Sequence, residues 1–250
     1  MKVADSSNKV VGFVDGSNTG DDYSYDANGN MISDANKNIT AITYNHLNLP
    51  TLITFGSIRN IAYTYNTTGQ KVLKIVTSGT NKTSTDYVNG YQYENNILQF
   101  FSQSEGYVNN NSGTFEYIYQ YKDHLGNVCL SYDKNLSIVE ENNYYPFGLK
   151  QIGYNNGTPS TNDALKYKYN GKELQDENIG GTQLNLYDYG ARNYDPAIGH
   201  WMNIDPLAEN SRRWTPYNYA YNNPMFFIDP DGMMAEQSLD GMMADPSNWS

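Results

Sequence analysis

The chain has few of the residues that could build a covalent framework or a metal centre. Cys129 is the only cysteine in 250 residues, so it can form neither an internal disulfide nor a cysteine zinc site. We interpret it as a free, buried thiol in the apolar strand NVCLSY. The only three histidines, His46, His124 and His200, lie far apart without the spacing of paired ligands. The sequence therefore predicts neither a metal site nor a cofactor.

Basic residues and long apolar runs are also scarce. Lys and Arg total 16 against 27 Asp and Glu, a net charge of -11, and no basic stripe is present to line a nucleic-acid backbone. No run of 18 apolar residues occurs, so no membrane-spanning helix is predicted. The start, MKVADSSNKVVG, lacks the apolar core of a signal peptide. If the protein is secreted or placed at a cell surface, we expect a larger system to carry it there.

Tyrosine, in contrast, is abundant. The chain has 24 Tyr against 8 Phe and 3 Trp, and 21 Gly. Aromatic residues favour strands, and Gly with Asn and Asp favours tight turns. The helix-forming residues are not grouped into a long periodic face. The composition therefore predicts an all-β fold.

One local pattern repeats along the chain. Each unit passes from a strand with alternating aromatic residues, through an Asn, Asp or Gly turn, into a short apolar strand, which is the pattern of a β-hairpin. Because a single hairpin cannot bury its own apolar face, we expect the units to stack on one another rather than close into a small barrel. The units begin at Tyr23, Ile42, Ala62, Tyr91, Tyr117, Asn142 and Tyr167.

The first unit, YDANGN at Tyr25, resembles the tyrosine-aspartate (YD) repeat of the Rhs family of bacterial proteins, with degenerate copies at Tyr44 and Tyr65. The later segments DHLGNVCLSY, NNYYPFGLK, YKYNGKEL and LNLYDYGARNYDPAIGHWMNIDPLAEN resemble the Rhs repeat-associated core domain, of the Bacteroidetes-like type. The resemblance predicts β-hairpin repeats over residues 1–165, a core domain over 166–233 and a short tail over 234–250.

The resemblance also implies an architecture and partners. In this family the hairpins spiral into a hollow shell, and the core domain closes one end around a C-terminal toxin. Other shell segments and a toxin cargo would be the partners, and neither is present in this chain. The 17 residues after Met233 are too few to bury a core, so we expect them to be disordered or to lie along the shell.

A cleavage activity is implied as well. Core domains of the family cut their own chain with two aspartates and an arginine, which correspond here to Asp205, Asp229 and Arg192. The cut would fall between Met233 and Met234. Two carboxylates that share a proton can activate water and protonate a carbonyl, while an arginine keeps one of them charged. This chemistry requires the residues between the two aspartates to fold back.

Neighbouring residues have less specific interpretations. Asp195 stands in a third Asp-Pro pair, and we interpret it as the opening of a turn that presents Arg192. After the Asp-Pro pair at Asp205 and Pro206, many relatives have any residue and then Gly, whereas this chain has Leu207 and Ala208. His200 stands where relatives often have Arg.

The loop that begins at Asp26 departs from the EF-hand pattern of calcium-binding loops. We predict that it is a turn.

Two other functions stay open at this point. The tyrosines could stack on sugar rings, which would make the chain a cell-surface carbohydrate-binding or adhesive repeat protein without proteolysis, although sheet packing explains the same alternation. The chain could also be an inactive remnant of a longer gene product.

Overall fold

The computed structural model describes residues 12–16, 20–152 and 162–238. In these ranges the chain is built from antiparallel strands, and helical structure is limited to short 3₁₀ turns. The all-β prediction is confirmed. None of the described helical segments is long and apolar enough to cross a membrane.

A first hairpin precedes a large open sheet. Strands β1 (Tyr23–Tyr25) and β2 (Met31–Asp34) form the hairpin. Eleven further strands then pair in chain order, each with the next, as expected for consecutive hairpins. They are β3 (Ala41–Tyr44), β4 (Pro50–Thr54), β5 (Arg59–Tyr65), β6 (Lys71–Ser78), β7 (Asn81–Val88), β8 (Tyr91–Glu94), β9 (Ile97–Gln103), β10 (Gly106–Asn111), β11 (Thr114–Lys122), β12 (Val128–Asp133) and β13 (Ile138–Glu141).

The repeated Asp or Asn has a direct structural role in five of the hairpin turns. Its Oδ1 accepts hydrogen bonds from the backbone N–H groups two and four residues later, and the fourth residue of the turn has a positive φ. Because both side chains present the same acceptor, Asn can replace Asp, which explains the degenerate copies. These turns open at Asp26, Asn45, Asn66, Asp123 and Asp133.

The tyrosine directly before the turn links neighbouring hairpins. The hydroxyl of Tyr44 donates to the carbonyl of Met31 at 2.6 Å, and the hydroxyl of Tyr65 donates to the carbonyl of Pro50 at 2.9 Å. Each ring packs against the sheet while its hydroxyl satisfies a carbonyl of an earlier strand. The repeat therefore encodes both its own turn and its contact with the preceding unit.

A smaller sheet lies against the large one. It has the strand order β14-β17-β18-β19, while β15 pairs with β16 and β20 pairs with β21 in separate hairpins. Buried aromatic rings fill its core, among them Tyr187, Tyr194, Trp201 and Tyr219. The strands are β14 (Glu173–Gln175), β15 (Asn178–Ile179), β16 (Thr182–Gln183), β17 (Leu186–Asp188), β18 (Asn193–Asp195), β19 (His200–Trp201), β20 (Phe227–Ile228) and β21 (Glu236–Gln237).

Buried ion pairs fasten the two sheets together. Lys71 contacts Glu173 at 2.7 Å and Asp188 at 2.6 Å, while Lys74 contacts Glu173 at 2.8 Å and Glu177 at 2.5 Å. Burial opposes the charge on Glu173, but Lys71 and Lys74 hold its pKa far below that of an ordinary glutamate. These contacts join residues on the two sides of the predicted domain boundary at 165/166. That boundary stays a prediction.

A second buried pair attaches the first hairpin. Lys37 forms an ion pair with Asp195 and lies 3.9 Å from Asp34. The other oxygen of Asp195 accepts from the N–H of Ala197 at 3.0 Å, as expected for a turn, but the pairing with Lys37 was not foreseen. Burial raises the pKa of Asp34 to about 6, although Lys37 opposes the shift.

This raised pKa predicts a pH-dependent loss of stability. An acid that binds its proton more tightly when folded stabilises the fold at low pH, and this contribution disappears as the pH rises through its folded pKa. In Asp34→Asn, the Oδ1 can still accept from the N–H groups of Asn36 and Lys37. We expect the free energy of unfolding of wild type, relative to this variant, to fall by about 2 kcal/mol between about pH 4 and pH 6. Urea unfolding across this range measures the difference, and a difference that does not change with pH contradicts the prediction.

Candidate functional site

Arg192 lies at the end of the β17–β18 hairpin, turned inward. The turn is closed by the N–H of Tyr189 donating to the carbonyl of Arg192 at 3.1 Å, and Gly190 supplies the positive φ it needs. The Arg192 side chain is only 1% exposed. Its guanidinium carbon lies 4.1 Å from the centre of the Trp201 ring, a favourable position for a buried cation.

The Arg192 side chain brings the two predicted aspartates together. Its Nη2 lies 3.2 Å from Oδ2 of Asp205 and 3.2 Å from Oδ2 of Asp229, so the two carboxylate oxygens are no further apart than twice that distance. The intervening chain folds back as the chemistry requires. Its carbonyl at Pro216 accepts from the N–H of Asp205 at 3.0 Å and from Nη1 of Arg192 at 3.2 Å.

The two carboxylates have different surroundings. The Asp229 side chain is 2% exposed and that of Asp205 is 14% exposed. Burial raises the pKa of Asp229, while Arg192 and the N–H of Gly232 oppose the shift. Burial also lowers the pKa of Arg192, and both aspartates oppose that shift. Two carboxylates and one guanidinium leave one excess negative charge when all are ionised, so a single shared proton would neutralise the cluster.

The same groups hold one peptide unit of the predicted cleavage segment. Arg192 Nε donates to the carbonyl of Gly232 at 2.5 Å, and the N–H of Met233 donates to Oδ1 of Asp229 at 3.1 Å. The peptide fixed at both ends is therefore Gly232–Met233, one bond before the predicted cut. Met234, on the far side of that cut, is 46% exposed.

Sequence reasoning missed two groups of the site. Trp201 stacks on Arg192, and its place beside His200 in a short apolar stretch gives no sign of this contact. The carbonyl of Pro216 anchors both Arg192 and Asp205, and a backbone carbonyl carries no side-chain signature at all.

The weaker candidates lie elsewhere. His200 Nδ1 hydrogen-bonds with the carbonyl of Trp201 at 2.7 Å, and its ring stacks on Tyr217 rather than reaching the aspartates. Burial lowers the pKa of His200, which favours the neutral ring. Cys129 is half-buried, which corrects the prediction of a buried thiol, and burial raises its pKa, the opposite of an activated nucleophile. Among the described residues, no three His, Cys, Asp or Glu side chains are grouped to hold a metal ion.

Several aromatic rings on the large sheet pair with one another. Tyr91 stacks on Phe101 with a ring distance of 5.0 Å, and Tyr119 stacks on Tyr132 at 5.6 Å, in both cases across neighbouring strands. Such pairs stabilise a sheet by themselves. The alternating tyrosines therefore have a packing role that requires no bound sugar.

The fold and the site together define an all-β protein of consecutive hairpins with a buried Asp–Arg–Asp cluster. The chain resembles the crystal structure of TcdB2-TccC3, with a TM-score of 0.67 and 23% sequence identity over 84% of this chain and 11% of that one. It also resembles a Photorhabdus luminescens Tc holotoxin pore, with a TM-score of 0.67 and 22% identity over 85% of this chain and 11% of that one. At these identities the likeness establishes the fold.

Sequence comparison finds relatives in several organisms. The chain is 30% identical to the toxin subunit YenC1 of Yersinia entomophaga over 46% of its length and 11% of the relative. It is 26% identical to the tRNA nuclease WapA of Bacillus subtilis over 84% of its length and 9% of the relative, and 27% identical to salivary gland surface protein 1 of Aedes aegypti over 84% and 6%. The chain thus spans about a tenth or less of these proteins. No protein-family model matches it.

The close packing around Gly232 predicts that replacing this residue with alanine lowers the free energy of unfolding. Gly232 has φ +81°, and a Cβ atom there would lie 3.0 Å from the backbone nitrogen of Arg192 and 3.1 Å from Cβ of Tyr189. Gly113 is a matched control, since its φ is +93° but no described atom lies within 4 Å of its Cβ position. We expect Gly113→Ala to cost about 1 kcal/mol of unfolding free energy from backbone strain. Gly232→Ala should cost about 1 to 3 kcal/mol more from the clash.

Urea unfolding of the two variants measures this difference. Equal unfolding free energies for Gly232→Ala and Gly113→Ala would show that the contacts around Gly232 are looser than the structure describes.

Proposed function

We propose that the chain is a structural segment of an Rhs-type toxin-delivery protein, whose core region cuts the chain once, between Met233 and Met234. The likeness in fold to TcdB2-TccC3 and the similarity to the toxin subunit YenC1 support the first part. The observation that carries the second part is Arg192 in contact with both Asp205 and Asp229 beside the cleavage segment.

The cluster has the groups that a single hydrolysis needs. Asp205 is the more exposed carboxylate, so it is the one that water can approach, and it would accept a proton from that water. The water oxygen then bonds to the carbonyl carbon of Met233. Asp229, whose pKa is raised by burial, would carry the shared proton and donate it to the carbonyl oxygen. When the C–N bond breaks, a proton passes to the new amine of Met234 and leaves a carboxyl on Met233.

Arg192 has two roles in this proposal. Its positive charge keeps one carboxylate ionised while the other is protonated. Through Nε it also holds the Gly232 carbonyl, which fixes the chain immediately before the bond to be cut.

Partners and location follow from the proposed membership. A toxin cargo would follow the core region, and other shell segments would pair with the strands at the ends of the large sheet, β3 and β13. The assembled protein would act outside the cell that makes it or at its surface.

Intact mass spectrometry of freshly purified protein tests the cleavage. We expect wild type to lose the mass of residues 234–250, and Asp229→Asn to keep its full mass because the variant has no proton to share at that position. The Gly232–Met233 peptide is held one bond before the predicted cut. The measured mass therefore also distinguishes a cut at Gly232–Met233 from a cut at Met233–Met234.

Asp133→Asn is the matched control, because it makes the same change in an exposed turn remote from the cluster, and it should be cut like wild type. A wild-type chain that keeps its full mass for days would end the proposal of autocleavage.

A further inference from the structure

The cleavage segment is the loop of a small hairpin. Strand β20 ends at Ile228, directly before Asp229, and strand β21 begins at Glu236, with Ile228 paired to Glu236 and Phe227 paired to Gln237. The loop between them contains Asp229 and the Met233–Met234 bond. The strands on both sides of the bond are therefore held against each other.

Main-chain groups of the residues after the bond make two contacts with the core region. The N–H of Ser238 donates to the carbonyl of Phe226 at 2.9 Å, and the hydroxyl of Tyr221 reaches the carbonyl of Ala235 at 3.4 Å. Ser238 is 1% exposed, whereas the side chain of Glu236 lies on the exposed side. Part of the tail thus lies along the core region, one of the two arrangements expected from sequence. Residues 239–250 lie outside the described ranges.

The strand that receives this segment is itself firmly placed. The Phe227 ring packs edge-on against Tyr221 with a ring distance of 5.2 Å. Tyr221 lies in a run of three residues with positive φ, from Ala220 to Asn222. Such backbone strain persists only where the surrounding packing fixes the conformation, and here it directs Tyr221 toward both Phe227 and Ala235.

The residues before the bond are fixed independently. Asp229 accepts from the N–H groups of Gly232 and Met233, and Arg192 holds the Gly232 carbonyl. The Met233–Met234 peptide consequently spans a short distance between two anchored points. Anchoring a reacting bond on both sides reduces the orientations it can take, and this contributes to the rate of a reaction.

We infer that the edge of β20 is a docking surface for the chain that follows the cleavage site, and that the pairing of residues 235–238 with it positions the bond for the cut. The inference rests on the proposed autocleavage. Because the pairing uses main-chain groups, the surface accepts varied side chains at exposed positions such as Glu236 and rejects proline where an N–H must be donated. One core region could then cut ahead of downstream segments of different sequence.

Proline substitutions in β21 test this docking. Amide groups two residues apart face the same side of a strand, so the N–H of Glu236, like that of Ser238, faces β20. We expect Glu236→Pro to be cut at least about tenfold more slowly than Glu236→Ala, and Ser238→Pro at least about tenfold more slowly than Ser238→Ala, because only the proline variants lose the donor. Intact mass spectrometry of the full chain over time gives the first-order rates.

The exposed position of Glu236 keeps the test sharp, since a proline there disturbs the β20–β21 hairpin and not the cores of the two sheets, and the unfolding temperature of Glu236→Pro should stay close to that of Glu236→Ala. If wild type is cut and each proline variant is cut as fast as its alanine partner, the docking inference is wrong while the proposed function stands. If wild type is not cut at all, the proposed function fails and the inference fails with it.

Discussion

The structure of the site depends on one buried guanidinium. Arg192 is almost fully removed from solvent, and it holds two carboxylates, two backbone carbonyls and one aromatic face at once. Burying a cation is costly unless its charge and its donors are satisfied. Here the cost is offset by partners from four separate parts of the chain. Those parts are consequently brought to one point, and the cleavage segment is among them.

The hairpin stack provides the rigid base for this arrangement. The ion pairs of Lys71 and Lys74 with Glu173 fasten the small sheet to the large one, and Lys37 with Asp195 fastens it to the first hairpin. Both connections are buried, so neither is easily exchanged for contacts with water. Asp195 and Arg192 belong to the same short segment, β18 and the turn before it. The packing that joins the hairpins therefore also fixes the position of the catalytic candidate Arg192.

The local features of the fold could be predicted from the sequence, and the long-range ones could not. Alternating tyrosines and Asp or Asn turns specify hairpins because their causes lie within a few residues, as at Asp26 and Asn45. The grouping of Arg192, Asp205 and Asp229 was predicted only through resemblance to a family. The pairing of Lys37 with Asp195 joins residues far apart in the chain, and the Pro216 carbonyl and the β21 strand act through backbone atoms. Neither kind of contact leaves a pattern in the sequence.

A double-mutant cycle between Arg192 and Asp229 tests the central role of the guanidinium most directly. The cycle uses Arg192→Met and Asp229→Asn in an Asp205→Asn background, so that the chain stays intact, and urea unfolding gives the free energies. If Arg192 and Asp229 stabilise each other as the structure describes, Arg192→Met is strongly destabilising with Asp229 present and much less so with Asn at that position, with a coupling of about 1 to 3 kcal/mol. Additive effects of the two substitutions would contradict the account.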